Sequence, residues 1–206
     1  MKVTSHHMTI SVEDFRKLYG DNRIKEKVQK GLILNEDLEV LLTLWRLIQP
    51  RTAIEFGINS GNTAKALLNE SVRLERYIGI DVPADFITTL PQQQGEVIKD
   101  VGVVVRGDKR VDIRILPTGS RSLRKEDLPL ADFIFIDGDH SLEGVLYDSL
   151  LAKQIIKPGG IICWHDFKSV HDVSKVLTFL SFKQGWNIKH VEGTILCYEM
   201  IPKTEN

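Results

Sequence analysis

Short apolar runs alternate along this chain with stretches whose apolar residues recur every three or four positions. The runs Ala53–Phe56, Tyr77–Ile80, Val111–Leu116, Ala131–Ile136 and Gly160–Trp164 read as buried strands. Between them, Ala64, Leu67, Leu68 and Val72 keep helical spacing, as do Leu142, Val145, Leu146, Leu150, Leu151 and Ile155, and then Val173, Val176, Leu177 and Leu180. Trp186–Val191 and Thr194–Ile201 read as two closing strands joined at Glu192-Gly193, an antiparallel hairpin. Ahead of the first strand, residues 1–10 form a loose lead-in. Val12–Tyr19 and Ile24–Leu34 read as short helices separated by Gly20-Asp21-Asn22. A stronger helix starts at Asn35, has Glu36 and Asp37 at its positive end, carries Leu38, Leu41, Leu42, Trp45 and Ile48 on one face, and closes at Pro50. Residues 84–110 are ambiguous. A helix over Phe86–Val101 is weakened by Pro91 and Gly95, and Val103–Val105 reads as a strand.

Strands alternating with helices predict an α/β fold with a mostly parallel sheet. The expected organisation is an N-terminal helical segment, residues 1–50, packed on one domain, residues 51–206. There is no internal repeat or linker. The 206 residues suit a single core, and 42% hydrophobic with 27% charged residues is ordinary globular composition. The net charge of -1 gives no broad basic field, which argues against a nucleic-acid partner; Arg121, Arg124 and Lys125 read as solvated surface. No apolar run reaches the roughly 20 residues of a membrane span, and the N-terminus lacks the apolar core of a signal peptide, so the cytoplasm is the expected location. Cys163 and Cys197 both lie in strand-like runs and read as buried thiols.

In parallel sheets, ligands bind outside the carboxyl ends of the strands. Five polar clusters fall there: the turn from Gly57 to Gly61, then Asp81, Gly119-Ser120, Asp137-Gly138-Asp139-His140, and His165-Asp166. The turn is bounded by two glycines and followed by a helix. It reads equally as an anion-binding helix start and as a plain connection. Asp81, 24 residues beyond Gly57, stands where a ribose-binding acid is expected. A phosphate-binding loop needs Lys after its last glycine, and here Asn62 follows Gly61. A dinucleotide fingerprint needs glycine at position 59, which is Asn.

The form Glu55-x-Gly57-x-x-x-Gly61, with Asp81 and the closing hairpin, resembles the class I S-adenosylmethionine-dependent methyltransferases. That resemblance implies a Rossmann-like, seven-stranded sheet with helices on both faces. Phe135-Ile136-Asp137-Gly138-Asp139-His140-Ser141-Leu142-Glu143-Gly144-Val145, with Lys157-Pro158-Gly159-Gly160 and His165-Asp166, narrows it. It is similar to the small-molecule O-methyltransferases of the macrocin and aminocoumarin sugar type, and more distantly to the catechol type, over about residues 50–201. The resemblance implies that Glu55, Gly57, Asn59, Gly61, Asn62 and Thr63 shape the methionine end of a cofactor pocket. Asp81 would hold the ribose, Gly119 and Ser120 would border the adenine, and Asp137 would stand beside the cofactor. It further implies a divalent metal, Mg²⁺ or Mn²⁺, on Asp137 and the pair His165-Asp166, and Asp139 as base. In the family that pair is two acids; here His165 replaces one.

The chemistry asks for such groups. The sulfonium already activates the methyl, so the acceptor hydroxyl must be made nucleophilic by a base or a metal. An imidazole among carboxylates widens the choice of metal toward Mn²⁺, Fe²⁺ or Zn²⁺. His140 is open as a base, a partner of the site or a substrate contact. The competing account has Asp139 and Ser141 capping the helix after them, His140 on the surface and Asp166 capping the next helix. Trp164 and Phe167 either wall a substrate pocket or pack in the core. His6-His7 and His171 read as ordinary surface residues. The expected activity is methyl transfer to a small-molecule hydroxyl, sugars included. The alternatives are an NAD-type oxidoreductase and a non-catalytic cofactor-binding module. A homo-oligomer is compatible with the chain, but no motif fixes one.

Overall fold

The structure, a computed structural model, describes residues 8–21 and 35–204. The helix expected over Ile24–Leu34 and the pair His6-His7 lie outside those residues. The strands are β1 (Thr9–Ile10), β2 (Thr52–Phe56), β3 (Arg76–Asp81), β4 (Val111–Ile115), β5 (Ala131–Ile136), β6 (Ile156–Trp164), β7 (Lys189–Val191) and β8 (Cys197–Met200). The helices are α1 (Val12–Tyr19), α2 (Asn35–Ile48), α3 (Asn62–Asn69), α4 (Leu142–Ile155) and α5 (His171–Gln184).

Among the described residues, eight strands join one sheet in the order β1-β7-β8-β6-β5-β2-β3-β4. Every pairing is parallel except those of β8 with β6 and β7. The expected seven strands are there, and the lead-in adds an eighth. Thr9 and Ile10 extend the edge beyond β7, and Met8 accepts from the His190 N–H at 2.7 Å.

Side-chain alternation along the strands builds two cores. On one face, Ile54, Ile78, Ile134 and Ile162 meet Val145 and Leu151 of α4 and Val176 and Leu177 of α5. On the other, Ala53, Tyr77, Phe133, Phe135 and Cys163 meet Leu41 and Trp45 of α2 and Leu67 of α3. Trp164 belongs to the first core, its indole N–H donating to Ser149 Oγ at 2.9 Å, and Phe167 packs against His190. Both aromatic residues are therefore packing residues. Cys163 and Cys197 are buried free thiols.

Two stretches differ from expectation. Residues 84–105 form 3₁₀ turns, Pro91–Glu96 and Val103–Val105, in place of a helix and a strand. Pro91 opens the first turn. Gly102 has a left-handed φ of 65°, and a Cβ there would stand 2.2 Å from Ile113 Cδ1. The segment is tied to the glycine turn instead: the Gly102 N–H donates to the Asn59 carbonyl at 2.7 Å and the Val104 N–H to that of Ser60 at 2.9 Å. The closing hairpin has a longer loop than two residues, residues 192–196, because the Ile195 N–H is drawn to Asp37 and its carbonyl to the Phe167 N–H.

The turn after β2 comes close to the end of β5. Gly57 has a φ of 87°, and a Cβ there would fall 2.2 Å from the Asp137 carbonyl oxygen. Gly57→Ala should therefore cost roughly 2 kcal/mol or more of stability through backbone strain and overpacking. Gly95→Ala, with nothing within 4 Å of the added carbon, should stay within about 0.5 kcal/mol. Urea unfolding of the two variants, compared with wild type, measures this contrast.

Candidate active site

Strands β2, β3 and β5 end side by side, and a cleft opens above them. Its lining includes Phe56, Gly57 and Asn59 from the first turn, Asp81 from β3, Gly119, Ser120 and Arg121 after β4, and Asp137, Gly138 and Asp139 after β5. Phe86, Thr88, Gln93, Glu96 and Val97 supply the facing wall. Asp81 is positioned by the backbone: the Asn59 N–H donates to Oδ2 at 2.6 Å and the Val82 N–H to Oδ1 at 2.8 Å. Burial nevertheless holds its carboxyl above the usual range.

Several expected cofactor residues stand apart from the lining. Glu55 is buried beneath the cleft, where its Oε2 accepts from the Tyr77 hydroxyl at 2.8 Å and burial pushes its carboxyl well up. Gly61 starts α3 with a φ of 90°, and what approaches it is Val105 Cγ2, 2.9 Å from a built Cβ. Asn62 bonds Ser60, and Thr63 lies within α3. Ser120 does line the cleft, and its hydroxyl donates to Asp148, a fully buried carboxyl on α4 that burial raises to about 7.

The acid and imidazole cluster forms where β5 and β6 end as parallel neighbours, Ile136 opposite Trp164. Asp166 takes a φ of 62°, a strained conformation of the kind that gathers at functional sites. His165 Nδ1 lies 3.2 Å from Asp137 Oδ1 and 3.2 Å from Asp166 Oδ2. His140 Nε2 lies 3.1 Å from Asp166 Oδ2 and 3.5 Å from Asp137 Oδ1. Behind His165, its Nε2 faces Oδ2 of Asp37 at 3.5 Å, and Asp37 is wholly buried. Burial opposes charge on His165, but Asp137, Asp166 and Asp37 outweigh it and push the ring up to about 12. Burial likewise opposes ionisation of Asp166, and His165 prevails, holding it at about 2. Asp137 is lowered for the same reason. Burial lowers His140, and the carboxylates of Asp137 and Asp166 outweigh that and raise it.

Asp139 faces elsewhere. Its Oδ1 accepts from the Ser141 N–H at 2.9 Å, its Oδ2 pairs with Arg121 Nη2 at 3.0 Å, and it packs over Gly144. Ser141 caps α4, its Oγ accepting from the Gly144 N–H at 3.1 Å. Arg121 is thus an ion-paired wall residue and not the solvated surface expected of it. His140 is buried, Val170 rather than Asp166 caps α5, and His171 is exposed.

Residues 54–167 match a family described as a methyltransferase domain. The chain belongs to that family. The matched span runs from β2 past Asp166 and so contains the glycine turn, Asp81 and the Asp137–His165–Asp166 cluster. No curated protein sequence matches the chain significantly. Among solved structures, the SAH-bound methyltransferase PaMTH1 from Podospora anserina aligns at 13% identity with a TM-score of 0.59, covering 93% of this chain and 86% of that one. The O-methyltransferase TomG from Streptomyces achromogenes, in complex with SAM, aligns at 14% and 0.56 over 82% and 81%. The O-methyltransferase NovP aligns at 14% and 0.52 over 79% and 80%. At these identities the likeness is one of fold. No helix among the described residues is long and apolar enough to cross a membrane.

Sequence reasoning missed Asp37, Gln93, Arg121 and Asp148. Asp37 carries a signal of its own, an acid on a helix face otherwise rich in leucine, which the general preference of helix starts for acids conceals.

The cluster makes stability depend on pH with a definite sign. His165 is raised in the folded chain, so its contribution is complete below about 6.5 and fades as pH climbs toward 12. Asp166 is depressed, so its contribution holds above about 3.8 and is lost toward 2. Asp148 is raised, so its burial costs increasingly from about 3.8 up to 7. Thermal unfolding should therefore give a maximum on the acid side of neutrality and a decline into alkali. Asp148→Asn should flatten the part between pH 4 and 7. An unchanged slope there would remove Asp148 from this account.

Proposed function

We propose that this chain transfers the methyl group of S-adenosylmethionine to a hydroxyl of a small molecule. The observation that carries the reading is the position of Asp137. It lines the cofactor cleft and also belongs to the acid and imidazole cluster. A methyl donor in the cleft and a hydroxyl at the cluster then meet at one residue, which is the proximity that group transfer requires.

Asp81, with both oxygens already oriented by backbone N–H groups, accepts the ribose hydroxyls. Gly119 and Ser120 border the adenine. The acceptor hydroxyl docks over Asp137 and Asp166, beside the His140 ring. Asp139, on the cleft wall, takes its proton once Arg121 turns away from it. The resemblance to the macrocin and aminocoumarin sugar type and the polar rim make a sugar hydroxyl the acceptor class we favour.

The donor set also suits a divalent cation. Ligands bound at about 2.1 Å stand roughly 3.0 Å apart in an octahedron and roughly 3.4 Å apart in a tetrahedron. His165 Nδ1 stands 3.2 Å from both Asp137 Oδ1 and Asp166 Oδ2. Asp137, Asp166 and His165 Nδ1 would hold the ion once His165 releases a ring proton, and Asp37 would back the other ring nitrogen, the usual support of a ligating imidazole. Bound there, the ion would supply Lewis acidity toward the acceptor oxygen.

The direct test is release of S-adenosylhomocysteine in a screen of small hydroxyl acceptors, sugars included. Failure with every acceptor despite cofactor binding would favour a non-catalytic module. Asp81→Ala removes charge-assisted bonds worth roughly 1.5–3 kcal/mol, so cofactor affinity should fall about tenfold or more in calorimetry while the fold persists.

A second set of variants separates metal from base. Asp137→Ala and Asp166→Ala should lose bound metal and turnover while the cofactor still binds. Asp139→Asn should keep the metal and lose turnover. His165→Asp, which makes the set all-carboxylate, should stay active with Mg²⁺. Full activity after chelation would remove the metal from this reading and leave the base.

A further inference from the structure

The facing wall of the cleft reaches into the acceptor site through one side chain. Gln93 lies on the Pro91–Glu96 turn, is buried, and points at the loop after β5. Its Oε1 accepts from the His140 backbone N–H at 3.2 Å, and its Nε2 donates to the Gly138 carbonyl at 3.3 Å. Those two contacts fix which end of the amide is which. The reversed amide would set its NH₂ against a backbone N–H and its oxygen against a carbonyl.

With the amide so fixed, its NH₂ is also the group that meets Nδ1 of His140. A neutral imidazole has one nitrogen that donates and one that accepts. Nδ1 must accept here, so the proton sits on Nε2. That nitrogen is buried, makes no regular hydrogen bond, and faces Asp166 and Asp137.

We propose that Gln93 is a positioning residue that holds His140 in the Nε2–H form, making the ring a hydrogen-bond donor to the acceptor site and neither a base nor a metal ligand. The role of that donor rests on the methyl-transfer reading; the tautomer does not. On that reading the Nε2–H steadies the carboxylate oxygens of Asp166 and Asp137, or an acceptor oxygen placed between them. The arrangement also joins the two halves of the site. The segment that walls the cofactor cleft carries the residue that sets the acceptor-side imidazole, so ordering one orders the other. His140 completes a geometric trio with Asp137 and Asp166 that by spacing alone resembles a three-ligand metal set. The Gln93 contact is what removes its nitrogen lone pair from that set.

The test is ¹⁵N NMR of the histidine rings in the full chain, with His140 assigned by its loss in His140→Gln. The expected wild-type pattern has Nε2 protonated and Nδ1 bare. Gln93→Glu puts an acceptor where the NH₂ was and should move a proton onto Nδ1. Gln93→Met, similar in length but without an amide, should leave a mixture of the two forms. Calorimetry on the wild-type sample reads S-adenosylhomocysteine binding. A wild-type ring protonated on Nδ1, or a ring pattern unmoved in both Gln93 variants, overturns the inference. Absence of S-adenosylhomocysteine binding by wild type overturns the functional reading and leaves the tautomer result standing.

Discussion

Everything at the carboxyl edge of this sheet depends on how one buried positive charge is surrounded. His165, just after β6, has an Asp side chain at each nitrogen of its ring: Asp137 and Asp166 at Nδ1, Asp37 at Nε2. Isolated charges at such depth would cost several kcal/mol each. His165 lowers the carboxyls of Asp137 and Asp166, these raise the imidazole in turn, and each member of the cluster is tied to a different part of the chain. Asp37 brings in α2 and, through the Ile195 N–H, the closing hairpin loop. Asp137 brings in the glycine turn, whose backbone it nearly touches. The cluster is thus a structural junction, and α2 is part of it.

The cleft is built on a different principle. There the chain presents backbone more than side chains. Left-handed glycines let the turns after β2 and β4 approach closely, and Asp81 is aimed by two N–H groups. The irregular segment between β3 and β4 closes the cleft because hydrogen bonds to Asn59 and Ser60 replace the helix that its Pro and Gly forbid.

Much of this was legible in the sequence. The central strands β2, β3, β5 and β6 are marked by apolar runs, and strand-end acids point to the rim because a parallel sheet places them there. What stayed hidden shares a physical cause: it depends on long-range contact. Thr9–Ile10 is too short to show a period and exists only because β7 offers an open edge. Gln93 sits in a stretch without pattern, 47 residues from the histidine it holds. Asp37 obeys a local rule for helix starts while being used 158 residues away. Motif spacing placed Asp139 and His140 together, and the fold turns one to Arg121 and the other to the carboxylates.

The central claim is that the cleft above Asp81 and Asp137 is made for the methyl donor and not for a dinucleotide. Calorimetric titration of the purified chain with S-adenosylhomocysteine and, separately, with NAD tests it most directly. The account predicts one S-adenosylhomocysteine bound per chain and no heat of binding with NAD. Saturable binding of NAD without binding of S-adenosylhomocysteine would contradict it.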